Sequence, residues 1–117
     1  MAETTQLELV TPACIMAQKA VQMVVAPGVE GLFGVLPRHA PLLAGLERGI
    51  VEVYEDGKVI QQIMIDGGFA DVSGVSVTIM AERAIDLGLA DLAALKETAT
   101  TANEAEADFL NAVIAAL

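Results

Sequence analysis

From Thr4 to about Ala84, apolar and polar residues alternate over short stretches broken by Gly and Pro, the period-two pattern of half-buried strands. Leu7 and Leu9 fall on one face of a first strand that ends at Thr11-Pro12. Cys14 and Met16 continue the alternation on a second, and Val21, Met23 and Val25 mark a third. Pro27 lacks an amide donor and Gly28 accepts positive φ, so Ala26-Pro27-Gly28 is expected to stop that strand and open a loop. The clearest hairpin runs from Ile50-Val51-Glu52-Val53-Tyr54 through Glu55-Asp56-Gly57-Lys58 into Val59 to Ile65, because an Asp-Gly pair between alternating segments suits a tight turn. A second joins Phe69 to Val72 with Val75 to Met80 across Ser73-Gly74. Strands at this spacing, with no helical pattern between them, predict a sandwich or barrel and disfavour a parallel α/β fold.

Beyond Ala84 the period changes. Gly disappears after Gly88, and Ala, Glu and Leu take over, which places a boundary near residues 84 to 88. A short helix is expected from Asp86 or Gly88 to about Lys96, with Leu89, Leu92 and Leu95 on one stripe. The polar stretch Thr98-Ala99-Thr100-Thr101-Ala102-Asn103 should break it. Asn103, followed by Glu104 and Glu106, makes a capped start for a second helix ending at Leu117, whose apolar face holds Phe109, Leu110, Val113, Ile114 and Leu117. The two stripes predict a helical hairpin attached to the β-domain as a mobile appendage, since helices this short need tertiary support.

Composition narrows the function classes. The 117 residues suit one domain with a small appendage. Six basic against sixteen acidic side chains give a net charge of -10 without a cationic cluster, which argues against nucleic acid. The chain is 55% hydrophobic, but its apolar runs fall far short of the about 20 residues of a spanning helix, so the surplus belongs in a core or on a surface that meets a partner. Phe33, Phe69, Phe109 and Tyr54 are the only aromatics, leaving the core to aliphatic side chains. One cysteine, Cys14, and an N-terminal stretch without the regions of a signal peptide suggest a reducing, cytoplasmic setting.

Candidate chemistry is sparse. The single His39, in Pro37-Arg38-His39-Ala40-Pro41, has no acid or nucleophile at a meaningful spacing and reads as a structural or interface residue. Cys14 and His39 could form a nucleophile and base, yet Cys14 is expected on an apolar face as a buried, inert thiol. No metal is expected, because the carboxylates are dispersed and the soft ligands number two. The glycines of Gly28-Val29-Glu30-Gly31-Leu32-Phe33-Gly34 lack a following Gly-Lys-Ser/Thr and read as turn residues, not a phosphate cradle. A nucleotide sensor binding between sandwich and hairpin, and a small Cys14/His39 hydrolase, stand as alternatives.

The segment from Ala26 to Leu43, with Gly28-Val29-Glu30-Gly31 and then Gly34-Val35-Leu36-Pro37-Arg38-His39-Ala40-Pro41-Leu42-Leu43, resembles the hallmark of the epsilon subunit of bacterial F-type ATP synthases. Leu7-Glu8-Leu9-Val10-Thr11-Pro12, Gly49-Ile50-Val51, Gly67-Gly68-Phe69-Ala70-Asp71-Val72 and Val75 to Ala81 match in order, so the resemblance spans about residues 5 to 84. It implies a mainly β protein with α: an N-terminal β-sandwich of about ten strands, residues 1–84, that grips the gamma subunit and rests on the c-ring, and a short C-terminal helical hairpin, residues 85–117. The implied role is a non-catalytic rotor part of the central stalk, coupling proton-driven rotation to ATP synthesis at the cytoplasmic face of the bacterial inner membrane. Membrane association comes through the complex alone, and no cofactor is implied. By family position Val29, Glu30, Gly31, Leu32, Arg38 and His39 are the partner contacts. Leu32 stands where the family often has an acid and Arg38 where it often has Gly, which leaves Glu30 as the ring-facing carboxylate.

The tail departs from the resemblance. An inhibitory tail in this family is a long basic helix that approaches acidic loops of the catalytic subunits, whereas residues 85–117 hold six acids and only Lys96. Like charges repel across such an interface, so strong inhibition of hydrolysis through the alpha and beta subunits is not expected. The family's ATP motif survives only as Asp91-Leu92-Ala93-Ala94-Leu95; with its Arg missing, Asp91 and Ala94 predict no tight ATP site.

Overall fold

The computed structural model describes residues 3–38, 40–89, 92–101 and 103–116. Ten strands precede two helices: β1 (Thr5–Val10), β2 (Ile15–Val21), β3 (Met23–Gly28), β4 (Gly31–Val35), β5 (Leu42–Leu46), β6 (Gly49–Glu55), β7 (Lys58–Ile65), β8 (Gly68–Val72), β9 (Ser76–Ala81), β10 (Ala84–Asp86), α1 (Leu92–Thr101) and α2 (Glu104–Ala116). The strands form two layers, β4-β3-β6-β7-β10 and β5-β8-β9-β1-β2, joined where Gly28 of β3 pairs with Leu46 of β5. This is the ten-stranded sandwich with a short helical hairpin that the family resemblance implies. Neighbouring strands are antiparallel except β1 and β9, which run parallel.

Period-two burial builds the core. Leu7 and Leu9, Val51 and Val53, Ile63 and Ile65, and Val77 and Ile79 all point between the layers, joined by Val24, Ala26, Ala70 and Val72. Each buried aliphatic side chain of this size contributes about 1.5–3 kcal/mol of transfer free energy. The Asp56-Gly57 turn forms as predicted, with φ of 53° and 74°, the left-handed pair that a two-residue hairpin between twisted strands requires.

Three expectations along the β part change. Val21 closes β2 instead of opening the third strand, and in the alternating part of β3 Val24 and Ala26 are buried while Met23 and Val25 are half-buried. The cause is the bend at Gln22, which resets the alternation. Its amide side chain accepts the Asp56 N–H at 2.6 Å, tying the bend to the β6–β7 turn. Ala26-Pro27-Gly28 ends the third strand from within it and opens no loop, because Pro27 pairs with Leu32 and Gly28 with Gly31, so β3 turns tightly into β4. Cys14 is exposed ahead of β2, in a turn organised by the Thr11 hydroxyl, which accepts the Cys14 N–H at 3.2 Å. An Ala-Cys turn tip held by a threonine has no apolar face to hide the thiol.

The helices also shift. Asp86 belongs to β10, which pairs with β7, and Leu87 to Leu89 form a turn, so α1 starts at Leu92 and Leu89 stands exposed outside it. The Thr-rich stretch stays helical to Thr101, with the Thr98 hydroxyl donating to the Ala94 carbonyl at 2.9 Å, a bond that satisfies the side chain without breaking the turn. Asn103 caps α2 as expected, its Oδ1 accepting the Glu106 N–H at 2.9 Å. The hairpin is packed onto the sandwich. Phe109 and Val113 bury against Met64, with Ile50, Ile85, Leu87 and Leu95 around them, on the outer face of β6, β7 and β10. Leu117 lies outside the described residues.

Candidate functional site

The β3–β4 turn carries the sequence-predicted contact residues Val29, Glu30, Gly31 and Leu32. Gly31 takes φ of 124°, and a Cβ on Gly28 would come within 2.8 Å of the Gly31 carbonyl oxygen, so this close-paired turn needs both glycines. The turn is strapped to β5: the Val29 N–H donates to the Gly45 carbonyl at 3.0 Å, and the Glu47 N–H to the Pro27 carbonyl at 2.9 Å. Beyond the strap β4 and β5 diverge, leaving a cleft of about 380 Å³ lined by Val29, Leu32, Phe33, Leu42 and Leu43. Leu32 at its rim is 73% exposed. The result is an apolar fingertip with one carboxylate, Glu30, held on a short, doubly bonded turn.

Arg38 lies elsewhere. β4 carries the chain away from the turn at about 3.3 Å per residue, and Arg38, with φ of 63°, docks beside the β8–β9 turn. Its amide donates to the Gly74 carbonyl at 3.0 Å and its guanidinium meets Glu3 at 2.9 Å, an exposed pair of small energetic worth. The predicted contacts therefore fall into two groups at opposite ends of β5 and β8. His39 lies outside the described residues. So does Asp91, while Ala94 is an exposed residue of α1.

Sequence reasoning passed over a further surface. On the outer face of the second layer, Phe69 pairs with Met80, Met80 with Val10, and Val10 with Ile15, making one apolar row across β8, β9, β1 and β2. Phe69 is 56% exposed and Met80 46%, although Ala70 and Ile79 beside them in sequence are buried. At its other end the row reaches Gly45, opposite Phe69, over which Val29 sits, so it is continuous with the fingertip. The parallel row of Asp71, Thr78, Glu8 and Gln18 is polar. The signal was present in the sequence: Val-Ser-Val-Thr-Ile-Met-Ala and Gly-Phe-Ala-Asp-Val place apolar residues on both faces of their strands, more than one core can use.

A cleft of about 590 Å³ lies where β7, the Asp86–Leu89 turn and Ala116 of α2 meet. Gln61 donates to Asp86 across it at 2.7 Å. Its described lining contains Asp86 and no Lys or Arg, so a polyphosphate placed there would face a carboxylate. Among the described residues no group of three or more His, Cys, Asp or Glu converges as a metal site, and no helix is long and apolar enough to cross a membrane.

Residues 4–87 match the family model described as the ATP synthase delta/epsilon chain, beta-sandwich domain. The chain belongs to this ATP synthase epsilon-chain family. It is 41% identical to the ATP synthase epsilon chain of Rhodospirillum rubrum over 128 aligned positions, covering 100% of this chain and 96% of that one. The ATP synthase epsilon chain of Carboxydothermus hydrogenoformans is 45% identical over 84 residues, covering 72% of this chain and 62% of the relative. Among solved structures, a chain in the Euglena gracilis mitochondrial ATP synthase with OSCP, F1 and c-ring superposes with a TM-score of 0.67 at 32% identity, over 84% of this chain and 62% of that chain. A chain from the central stalk and c-ring of Tetrahymena thermophila mitochondrial ATP synthase has a TM-score of 0.61 at 16% identity, over 95% and 97%, and shares the fold.

Proposed function

We propose that this epsilon-family chain is a non-catalytic part of the central stalk of an ATP synthase, coupling proton-driven rotation of the c-ring to ATP synthesis through gamma. The observation that carries the reading is the asymmetry of the two sheets. The hairpin covers the outer face of β6, β7 and β10, while the outer face of β8, β9, β1 and β2 keeps Phe69, Met80 and Ile15 of the apolar row exposed and Val10 half-buried. An apolar row rimmed by polar residues fits a protein interface, and gamma is its occupant in this reading. The Val29–Leu32 turn meets the polar loops of the c-ring, with Glu30 as the ring-facing acid, and the Arg38 and His39 neighbourhood supplies a second contact. The β-domain thus carries the coupling contacts, and the hairpin is a separate module. A chain so placed sits peripherally at the cytoplasmic face of the inner membrane, held by protein contacts. With six acids and only Lys96 in residues 85–117, the hairpin is a weak inhibitor of hydrolysis.

The test is reconstitution of the complex with the full chain, with a chain ending after Leu89, and without the chain, measuring synthesis and hydrolysis. Ending the chain after Leu89 preserves β10, which pairs with β7. Coupled synthesis restored by the shortened chain, with hydrolysis unchanged, supports the reading. Failure of the full chain to associate with gamma overturns it, and a several-fold release of hydrolysis on shortening overturns the charge argument.

A further inference from the structure

Three turns at one end of the sandwich converge on a single carboxylate. Asp66, between β7 and β8, accepts from Arg48 Nε at 2.9 Å and from Arg83 Nη1 at 2.7 Å, and its own amide donates to the Arg83 carbonyl at 3.0 Å. Arg48 belongs to the β5–β6 turn and Arg83 to the β9–β10 turn. The Asp66 side chain is 15% exposed and that of Arg48 40%, so the buried partner fixes where the more open one points. Arg48 points at the hairpin: its Cζ lies 5.9 Å from the centroid of the Phe109 ring. That separation is within the range where a guanidinium is attracted by the negative face of an aromatic ring. Phe109 is also the only aromatic residue of the tail and is fully buried.

We propose that Arg48 is a latch, a positioning residue that Asp66 holds in place and that fixes the docked position of the helical hairpin through the ring of Phe109. Burial of Phe109 against Met64 is non-directional and accepts any apolar side chain of similar size. A ring under a guanidinium is directional, and it ties the hairpin to the clamp that joins three turns of the sandwich. Two arginines share one carboxylate here, with Glu47 and Glu82 next to them in the same turns, so the three turns together carry no surplus positive charge. The acidic first turn of α2 lies on the same side, with Glu106 lining one groove together with Arg83 and Phe109. The ring geometry therefore holds the hairpin in the same position as apolar packing does.

Hydrogen exchange of the full chain, resolved by residue, tests the latch. Arg48→Ala is expected to speed exchange of the α2 amides from Phe109 to Val113 by about fivefold, leaving the amides of Val51 and Ile79 in the sandwich unchanged. Phe109→Leu keeps an apolar side chain and removes the ring, and in that background Arg48→Ala is expected to add nothing. The proposal is overturned if Arg48→Ala leaves α2 exchange unchanged, if it speeds sandwich and hairpin by the same factor, or if the two substitutions multiply their effects.

Discussion

Leu9, Val53, Ile63 and Ile79 meet between two sheets, each fully buried, whereas the hairpin rests on one outer sheet face through Phe109, Val113 and the half-buried Leu95. The first arrangement closes on itself. The second borrows its stability from Met64 and Ile50, which occupy the strands' outward positions beside the inward Ile63, Ile65 and Val51. A ten-residue and a thirteen-residue helix are too short to persist alone in water, so the hairpin depends on the sandwich, and the sandwich is expected to survive without it. The difference separates a rigid platform from a module whose position is set by few contacts.

The sharpest way to break this comparison is to damage the platform. Ile79→Ala removes a buried side chain between the layers and is expected to cost about 2–5 kcal/mol, read as a lowered urea midpoint. Sandwich and hairpin signals should fall together, because the hairpin has nothing to rest on once the sheets part. Phe109→Ala is the matched change on the other side. Its intrinsic cost is about 3–5 kcal/mol for a buried Phe, but the loss is capped by the local free energy of docking. Limited proteolysis should therefore cut between residues 92 and 116 much faster, with the urea midpoint of the β signal nearly unmoved. A large shift of that midpoint would show that the two regions unfold as one.

The open sheet face offers a different contrast, between stability and association. Phe69→Ser changes an exposed side chain and is expected to alter stability by no more than about 0.5 kcal/mol. Under the proposed function it should weaken co-purification with gamma by tenfold or more, as the loss of a central aromatic contact does, about 2 kcal/mol. A variant that binds gamma as well as the parent would move the interface off this row.

Much of this was legible from residue pattern. Asp56-Gly57 announced its turn, Asn103 its cap, and the alternation of Leu7, Leu9, Val77 and Ile79 the inward face, because each rests on local geometry. The misreadings came where tertiary contacts decide. Pro27 stays in a strand although it lacks a donor, because its carbonyl accepts the Glu47 amide and β4 folds back to pair Leu32 with it. Leu89 reads as part of a helical stripe until the Gly88 N–H is captured by the Asp86 carboxylate at 2.9 Å, which makes a turn of that segment. For the candidate site, the fingertip residues were named through the family resemblance, the residue pattern alone reading them as a turn. The row from Phe69 to Ile15 was not, since its members come from four strands and align only through a register that includes one parallel pair.

The smallest expected effect tests how local the hairpin's stability is. Asn103 accepts the Glu106 N–H through Oδ1, and its carbonyl takes the Ala107 N–H at 2.8 Å, so the side chain satisfies an amide that would otherwise lack a partner at the start of α2. Asn103→Ala leaves the carbonyl bond and removes the side-chain bond, a loss of about 1 kcal/mol. Because the cap touches no sandwich residue in these hydrogen bonds, that loss should appear as faster hydrogen exchange in the first turn of α2, at Glu106 and Ala107. Exchange at Phe109 to Val113 should rise less, since those residues are held from below by Met64 and Ile85. If the whole of α2 loses protection by one common factor, the helix docks and undocks as a rigid rod, and its few apolar contacts act together with the cap as one cooperative unit.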